Sequence, residues 1–329
     1  MNTLILDSEK GIELGAKLIQ AGEVVAFPTE TVYGLGGNAL DPSCVAKIYA
    51  AKGRPADNPL IVHISKVDDI YPLVAEFSES NKKLVERFMP GPITLLFPKS
   101  DIVPDSVTAG LKTVGIRMPK SEIARKFIEA CGVPIAAPSA NASTRVSPTT
   151  AKHVYEDMNG RIPLIIDGGD SEVGIESTVL DLTGEIPTIL RPGAITPEML
   201  ADVVGSVKTH KGEVISSAPA PGMKYKHYAP TVPMVVAKDM KSLVEDYDKK
   251  VAKNMNPLCL IRGQAVQAVG NRRYVNLGNT DAEVCRNIYR VMRDSEKVCD
   301  SIICIDLGES GVCKSVMNRV LKASGGKIV

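Results

Sequence analysis

Through the first two hundred residues, short runs of β-branched and other apolar residues alternate with amphipathic stretches, the pattern of an α/β domain. Val24-Val25-Ala26-Phe27, Leu60-Ile61-Val62-His63-Ile64, Ile93-Thr94-Leu95-Leu96-Phe97 and Pro163-Leu164-Ile165-Ile166 read as buried strands, and Pro134–Ala137 as a shorter one. Helix starts are marked by an N-cap residue followed by proline, whose ring fixes φ and whose missing N–H has no partner to lose at that position. Asp41-Pro42 opens a segment through Ala51, Ser147-Pro148 one through Met158, and Thr196-Pro197 one through Val204. Gly22 and Gly132 follow the amphipathic stretches Glu9–Ala21 and Ser121–Cys131, where a left-handed residue suits a helix end. No helix signal separates the strand-like runs between Ser177 and Leu190, so the sheet is expected to be mixed and not a Rossmann sheet.

From about Val207 the periodicity stops and small, polar and proline residues take over, through Ser216-Ser217-Ala218-Pro219-Ala220-Pro221-Gly222. Strand and helix signals resume at Val232–Ala237, Lys241–Asn254, Pro257–Ile261, Asp281–Val298, Ser301–Asp306 and Val312–Ala323. The expected organisation is a first domain over 1–206, a linker over 207–231 and a smaller α/β domain over 232–329. Met223-Lys224-Tyr225-Lys226-His227-Tyr228-Ala229-Pro230 is basic and aromatic for a spacer, so the linker is expected to close as a lid over a ligand, the alternative being a structured connector that packs its tyrosines on the first domain.

A length of 329 residues exceeds the ~250–300 at which one core stops growing, in keeping with two domains. With 44% hydrophobic and 23% charged residues the composition is that of a folded globular chain. A net charge of +1 supplies no global attraction to nucleic acid or anionic membrane. No apolar run approaches ~18 residues, and the opening Met-Asn-Thr-Leu-Ile-Leu-Asp-Ser lacks an export signal's basic start and apolar core, so a cytoplasmic location without membrane contact is expected. The cysteines number 7, without a Cys-x-x-Cys pair, and suggest reduced buried thiols.

Gly34-x-Gly36-x-x-Ala39 formally matches a dinucleotide fingerprint, but Pro28–Tyr33 intervenes between the strand and the glycines, so the match is rejected. Lys52-Gly53-Arg54-Pro55 carries two cations on a stiff turn suited to one anion, although basic residues also sit at helix ends simply to match the dipole. His63 in an apolar run reads first as a satisfied core histidine. Pro138-Ser139-Ala140-Asn141 follows a strand where α/β sheets collect ligands, or is an ordinary Ser/Asx turn. Gly-x-Ser-x-Gly, His-Glu-x-x-His and the Walker loop are all missing, so a serine hydrolase, a zinc protease and a P-loop enzyme are disfavoured. Cations, hydroxyls and amides remain, an inventory that orients anions and stabilises charge without a side-chain nucleophile.

In order, Phe27-Pro28-Thr29-Glu30-Thr31-Val32-Tyr33-Gly34-Leu35-Gly36, Lys52-Gly53-Arg54-Pro55 with Asn58-Pro59-Leu60, Pro90-Gly91-Pro92-Ile93-Thr94, Val114-Gly115-Ile116-Arg117-Met118-Pro119 and Pro138-Ser139-Ala140-Asn141 resemble the YrdC/Sua5 family of threonylcarbamoyl-AMP synthases. Gly174–Val179, Ile189–Gly193 and Pro221–Pro230 extend the likeness to Sua5-type members and to the whole chain. The resemblance implies an α/β chain with a YrdC-like twisted mixed-sheet domain and a smaller Rossmann-like Sua5 domain. It implies a nucleotidyltransferase joining L-threonine, bicarbonate and ATP, the last arriving with Mg²⁺, into threonylcarbamoyl-AMP and pyrophosphate. The adenylate would then pass to the tRNA threonylcarbamoyl transferase machinery, for tRNAs reading codons that begin with A. By the same matching, Lys52, Arg54, Ser139 and Asn141 are the catalytic set, and Thr31, His63, Arg117, Ala137 and Ser177 the threonine pocket. Arg54, Asn58, Thr113, Ser139, Ser147 and Arg191, with Tyr225 or Tyr228, make the ATP side, and no residue is assigned to a metal. Two rivals are an RNA-binding relative, disfavoured by the charge balance and 4% aromatics, and an ATP-dependent regulator. Direct tRNA binding is expected to be weak or absent.

Overall fold

The computed structural model describes residues 2–210 and 228–329. These divide into two compact units, the first of residues 2–143, 148–172 and 176–210, the second of residues 144–147, 173–175 and 228–329. Among the described residues no helix is long and apolar enough to cross a membrane.

In the first unit, β1 (Leu4–Asp7), α1 (Ser8–Gln20), β2 (Val25–Phe27), β3 (Gly34–Asn38) and α2 (Pro42–Lys52) lead to β4 (Ile61–His63). A 3-10 segment (Val67–Leu73) and α3 (Glu79–Phe88) precede β5 (Ile93–Pro98), the short α4 (Asp105–Thr108), β6 (Thr113–Arg117), α5 (Glu122–Cys131) and β7 (Ile135–Ala137). Then come α6 (Ala151–Met158), β8 (Leu164–Asp167), β9 (Thr178–Asp181), β10 (Thr188–Arg191), α7 (Pro197–Val204) and β11 (Lys208–Thr209). The strands form an 11-stranded sheet in the order β1-β8-β2-β3-β7-β4-β6-β5-β9-β10-β11. Pairing is mixed, as the strand runs after Ser177 suggest: β4 lies parallel to β6 and antiparallel to β7, and β9 antiparallel to β10.

Two-residue alternation decides what each face buries. Val25, Phe27, Ile135, Ala137, Leu164 and Ile166 meet Ala16 and Ile19 of α1 and Phe127 of α5. Ala26, Leu35, Val62, Ile116 and Ala136 point the other way, into the larger core with Val45 and Ile48 of α2, Leu84 and Val85 of α3, and Val154 of α6. The glycines of the rejected dinucleotide fingerprint lie inside β3, so no phosphate-binding turn forms there.

The second unit carries β12 (Met234–Ala237), α8 (Met240–Val251), β13 (Pro257–Ile261), a 3-10 segment (Gly263–Ala268), β14 (Tyr274–Asn276), α9 (Asp281–Ser295), β15 (Ser301–Ile305) and α10 (Gly311–Ser324). Its sheet runs β12-β15-β13-β14 with parallel pairs throughout. The central strands β13 and β15 are buried at every position, as a parallel sheet covered on both faces requires. This is the smaller Rossmann-like domain.

Two local readings are corrected. Ser147-Pro148 does not start a helix. The Pro148 carbonyl accepts the Tyr33 N–H at 2.9 Å, and α6 begins at Ala151 with Thr150 as its N-cap, whose Oγ1 accepts from the His153 N–H at 3.1 Å. The stretch read as linker from 207 opens with edge strand β11, parallel to β10. The proposed hinge at Ser216–Gly222 and Tyr225 lie outside the described residues.

Gly36 marks the tightest approach between β3 and its neighbours. A Cβ there would lie 2.7 Å from Ile135 Cγ2 and 2.8 Å from Phe27 Cε1. Gly36→Ala is therefore expected to destabilise the first unit by about 1–3 kcal/mol, the usual cost of overpacking. A urea midpoint equal to that of the parent would show that the sheet accommodates the methyl.

Candidate active site

Strand register sorts the candidate residues along β4, β6 and β7. Ile61 pairs with Gly115 and Ala137, while His63 pairs with Arg117 and Ile135. Continuing the same register backwards, Thr113, Ser139 and the approach through Asn58 gather at one end of these strands. His63 and Arg117 lie at the other. Thr113 and Arg117 stand four positions apart on one face, about 13 Å along the strand. By register, Thr113, Ser139 and Asn58 thus stand toward one end of these strands and His63 and Arg117 toward the other, with Ala137 between them, while Thr31 lies in the β2–β3 loop that returns beside Ser139.

At the first end, Lys52 is the last residue of α2, which stops because Gly53 takes a left-handed cap with φ 62°. Lys52 is only 3% exposed, so its ammonium must find oxygen partners. It donates to the Ser139 carbonyl at 2.5 Å, the Asn141 carbonyl at 2.7 Å and Asn141 Oδ1 at 3.4 Å. Ser139 Oγ donates to the same Oδ1 at 2.5 Å, and the Ser143 N–H closes back on the Lys52 carbonyl at 2.9 Å. Lys52, Ser139 and Asn141 therefore form one network. Half-buried Arg54 lies two residues beyond Lys52, past the Gly53 turn. Asn58 is fully buried, and both its Nδ2 and Oδ1 lack a hydrogen-bond partner. Tyr49 of α2 anchors that segment, donating from its hydroxyl to the Asn58 carbonyl at 2.8 Å. Burial pushes the Tyr49 pKa up to about 12, so it stays a donor.

At the other end, Arg117 Nη2 donates to Glu30 Oε1 at 2.6 Å with both side chains buried. Glu30 Oε2 accepts the Ser121 N–H at 3.3 Å, at the start of α5. Burial works against the Glu30 charge, yet the Arg117 cation and its hydrogen bond, with the Glu30 and Lys120 backbone, hold the carboxyl below the usual range. The β2–β3 loop is fixed by Thr29 Oγ1, which lies 2.9 Å from Thr31 Oγ1 and donates to the Val32 carbonyl at 2.6 Å. His63 Nδ1 donates to the Ile61 carbonyl at 3.1 Å, and its ring meets Phe27 edge-on. Ser177 Oγ is 2.8 Å from Thr94 Oγ1 on β5. Arg191, expected on the nucleotide side, donates from Nε and Nη2 to the Ser177 carbonyl at 3.1 and 3.0 Å, and so joins the two groups.

Ser147 and Tyr228 belong to the second unit. There the Val146 carbonyl accepts from Arg293 Nε and Nη2 at 2.9 and 2.6 Å, which fixes the segment that carries Ser147. The Tyr228 ring stacks on Tyr289 with centroids 5.6 Å apart and lies 5.6 Å from the Arg319 guanidinium. Glu30, Tyr49 and Thr94 were not singled out as site residues. Glu30 and Thr94 stand inside the quoted motifs, but nothing in their spacing predicts a partner 87 or 83 residues away. Among the described residues no group of three His, Cys, Asp or Glu side chains could hold a metal ion.

This arrangement, an α/β scaffold with buried cations and unpartnered polar atoms near the ends of central strands, is chemically suited to orienting anions. A family model described as telomere recombination, the Sua5–YciO–YrdC model, matches residues 17–193, and one described as threonylcarbamoyl-AMP synthase, C-terminal domain, matches residues 195–325. The threonylcarbamoyl-AMP synthase of Pyrococcus abyssi is 44% identical, over 99% of each chain. That of Bacillus subtilis is 42% identical, over 97% of this chain and 94% of that one. The crystal structure of P. abyssi Sua5 complexed with L-threonine superposes with a TM-score of 0.93 at 42% identity, covering 100% of this chain and 99% of that one. The chain belongs to the Sua5-type threonylcarbamoyl-AMP synthase family.

Burial, reinforced by the Arg117 cation, lowers the His63 pKa from 6.5 to about 3. Unfolded chains then bind a proton that the folded state refuses, so His63 contributes stability above pH 6.5 that is lost as pH falls toward 3. His63→Asn should flatten the fall of the denaturation midpoint between pH 6.5 and about 5, above the range in which Glu30 titrates. An unchanged slope would mean that His63 protonates freely in the folded protein.

Proposed function

We propose that the chain converts L-threonine, bicarbonate and ATP into threonylcarbamoyl-AMP and pyrophosphate, using the two ends of β4 and β6 for the amino acid and the nucleotide. The reading rests on one observation: the Lys52–Ser139–Asn141 network with Asn58 stands at one end of these strands, and His63 and Arg117, the latter bonded to Glu30 of the β2–β3 loop, at the other. Arg117 takes the threonine carboxylate. Thr31, neutral His63, the Ala137 backbone and Ser177 surround the side chain and amine. The amine condenses with bicarbonate, releasing water, and the carbamate oxygen attacks the α-phosphorus as pyrophosphate leaves. Charge is the obstacle, because carbamate and polyphosphate are both anions. Lys52 stabilises the closed 139–141 turn while its charge bears on the reacting groups, Arg54 meets the phosphates, and Asn58, Thr113, Ser139 and Arg191 orient the nucleotide. Mg²⁺ travels on the phosphate oxygens of ATP, and no protein ligand is assigned to it. The labile product is the donor for tRNA threonylcarbamoylation in the cytoplasm, passed to a downstream transferase with no stable tRNA complex on this chain.

Adenylate formation followed by mass detection should require threonine and bicarbonate together. ATP turnover independent of either would favour a regulatory ATPase. Lys52→Ala and Arg54→Ala should each lower the rate about 30- to 1,000-fold, the loss expected from one charge-assisted contact in a dry site. Near-normal turnover in either variant removes that residue from the catalytic set.

The threonine hydroxyl offers a second test. A pocket that hydrogen-bonds it leaves polar groups unpaired with valine, whereas serine forfeits only a methyl worth about 1 kcal/mol. Threonine should therefore be preferred to serine, and serine to valine, in kcat/KM. Equal activity with serine and valine would show that the hydroxyl is not read.

A further inference from the structure

Ion pairs as deeply buried as Glu30–Arg117 are poor stabilisers, because removing two charges from water costs about as much as their attraction returns, and an apolar pair of similar volume often does better. Here the geometry is more constrained than stability needs. Glu30 is held through both oxygens, Oε1 by Arg117 Nη2 at 2.6 Å and Oε2 by the Ser121 N–H at 3.3 Å. Ser121 is the N-cap of α5, so the helix dipole also favours a carboxylate there. Arg117 is only 4% exposed, and its Nε is buried without a hydrogen-bond partner. A buried guanidinium N–H left unpaired is costly unless something arrives to accept from it.

We propose that Glu30 is a positioning residue for the amino-acid substrate: it tethers the Arg117 guanidinium through Nη2 so that the unpartnered Nε is held ready for the substrate carboxylate. The inference rests on the reading of Arg117 as part of the threonine pocket. Two consequences follow. Glu30 offsets the Arg117 charge, so a pocket that also contains neutral His63 carries no net charge from these three groups before substrate binds. It also removes rotamer freedom from Arg117, so less ordering is needed when the carboxylate docks.

Glu30→Gln is nearly isosteric, but its amide nitrogen cannot accept the Ser121 N–H. With the full chain, KM for threonine is expected to rise about 10- to 100-fold, with KM for ATP within about twofold of the parent. Threoninamide, which lacks the carboxylate, supplies a readout that a merely structural role would leave unmoved. The parent should prefer threonine strongly in kcat/KM, and Glu30→Gln should lose at least about tenfold of that preference. Glu30→Asp, which keeps the charge, should recover part of it. Adding Glu30→Gln to Arg117→Lys should do little beyond Arg117→Lys alone, because the carboxylate acts through the guanidinium. If Glu30→Gln fails to fold, Glu30→Asp is measured against the parent and should show a smaller loss of the same preference. Arg117→Lys separates the two readings. An unchanged threonine KM in that variant overturns the pocket itself. A raised KM there, with Glu30→Gln retaining full discrimination or raising both KM values equally, overturns the positioning role alone.

Discussion

Charge buried in the first unit governs how its functional loops are held. Lys52, Glu30, Arg117 and Arg191 each expose 5% or less of their surface. Each is stable only if oxygen atoms or a counter-charge are brought to it at hydrogen-bond distance. Those partners come from the loops that follow β2 and β7 and the one that leads into β9: Glu30 for Arg117, the 139–141 turn for Lys52, and the Ser177 carbonyl for Arg191. Satisfying each charge therefore fixes a loop. Stability and site geometry are in this respect one requirement, which is why the loops sit on strand ends whose own register is rigid.

The consequence reaches across the sheet. β4 and β6 are short, three and five residues, and are flanked by strands of both directions. A purely parallel sheet would put every ligand-facing loop at the carboxyl ends. Because β7 runs antiparallel to β4, its exit loop with Ser139 falls beside the entry to β4, while His63 and Arg117 mark the exits of β4 and β6. The mixed order thus sets Thr113 and Ser139 about the length of one strand, on the order of 13 Å, from His63 and Arg117, and the β2–β3 loop, which leaves the sheet beside Ser139, carries Glu30 across to Arg117.

Local chemistry was the part most readable from sequence. Asp41-Pro42, Thr196-Pro197 and Gly132 lie where a cap or a stop is found, because capping depends on two or three adjacent residues. Ser147-Pro148 misleads for the same reason: it has the right local chemistry, but Pro148 is already committed to Tyr33 across the fold. β3 is hidden because Gly34-Leu35-Gly36-Gly37-Asn38 has almost no strand propensity. It exists because glycine alone fits beside Phe27, Ile135 and Cys44. Likewise Lys52, Ser139 and Asn141 were named as one set only through the family likeness. The geometric reason, a lysine reaching carbonyls 87 and 89 positions away, is not encoded in any local pattern.

What sequence conceals most completely is what the folded protein leaves unsatisfied. Asn58 with both amide atoms unpaired and Arg117 with a bare Nε are unfavourable in a closed interior, each costing roughly 1–3 kcal/mol. By register they lie toward opposite ends of β4 and β6. Tyr49 and Glu30 hold these groups in place by bonds that do not use the unpaired atoms, the first through the Asn58 backbone and the second through Arg117 Nη2. A ligand that supplies the missing partner removes that cost. Specificity then follows from the same source: an analogue lacking the matching oxygen leaves the cost in place, so discrimination is set by groups the fold has already paid to desolvate.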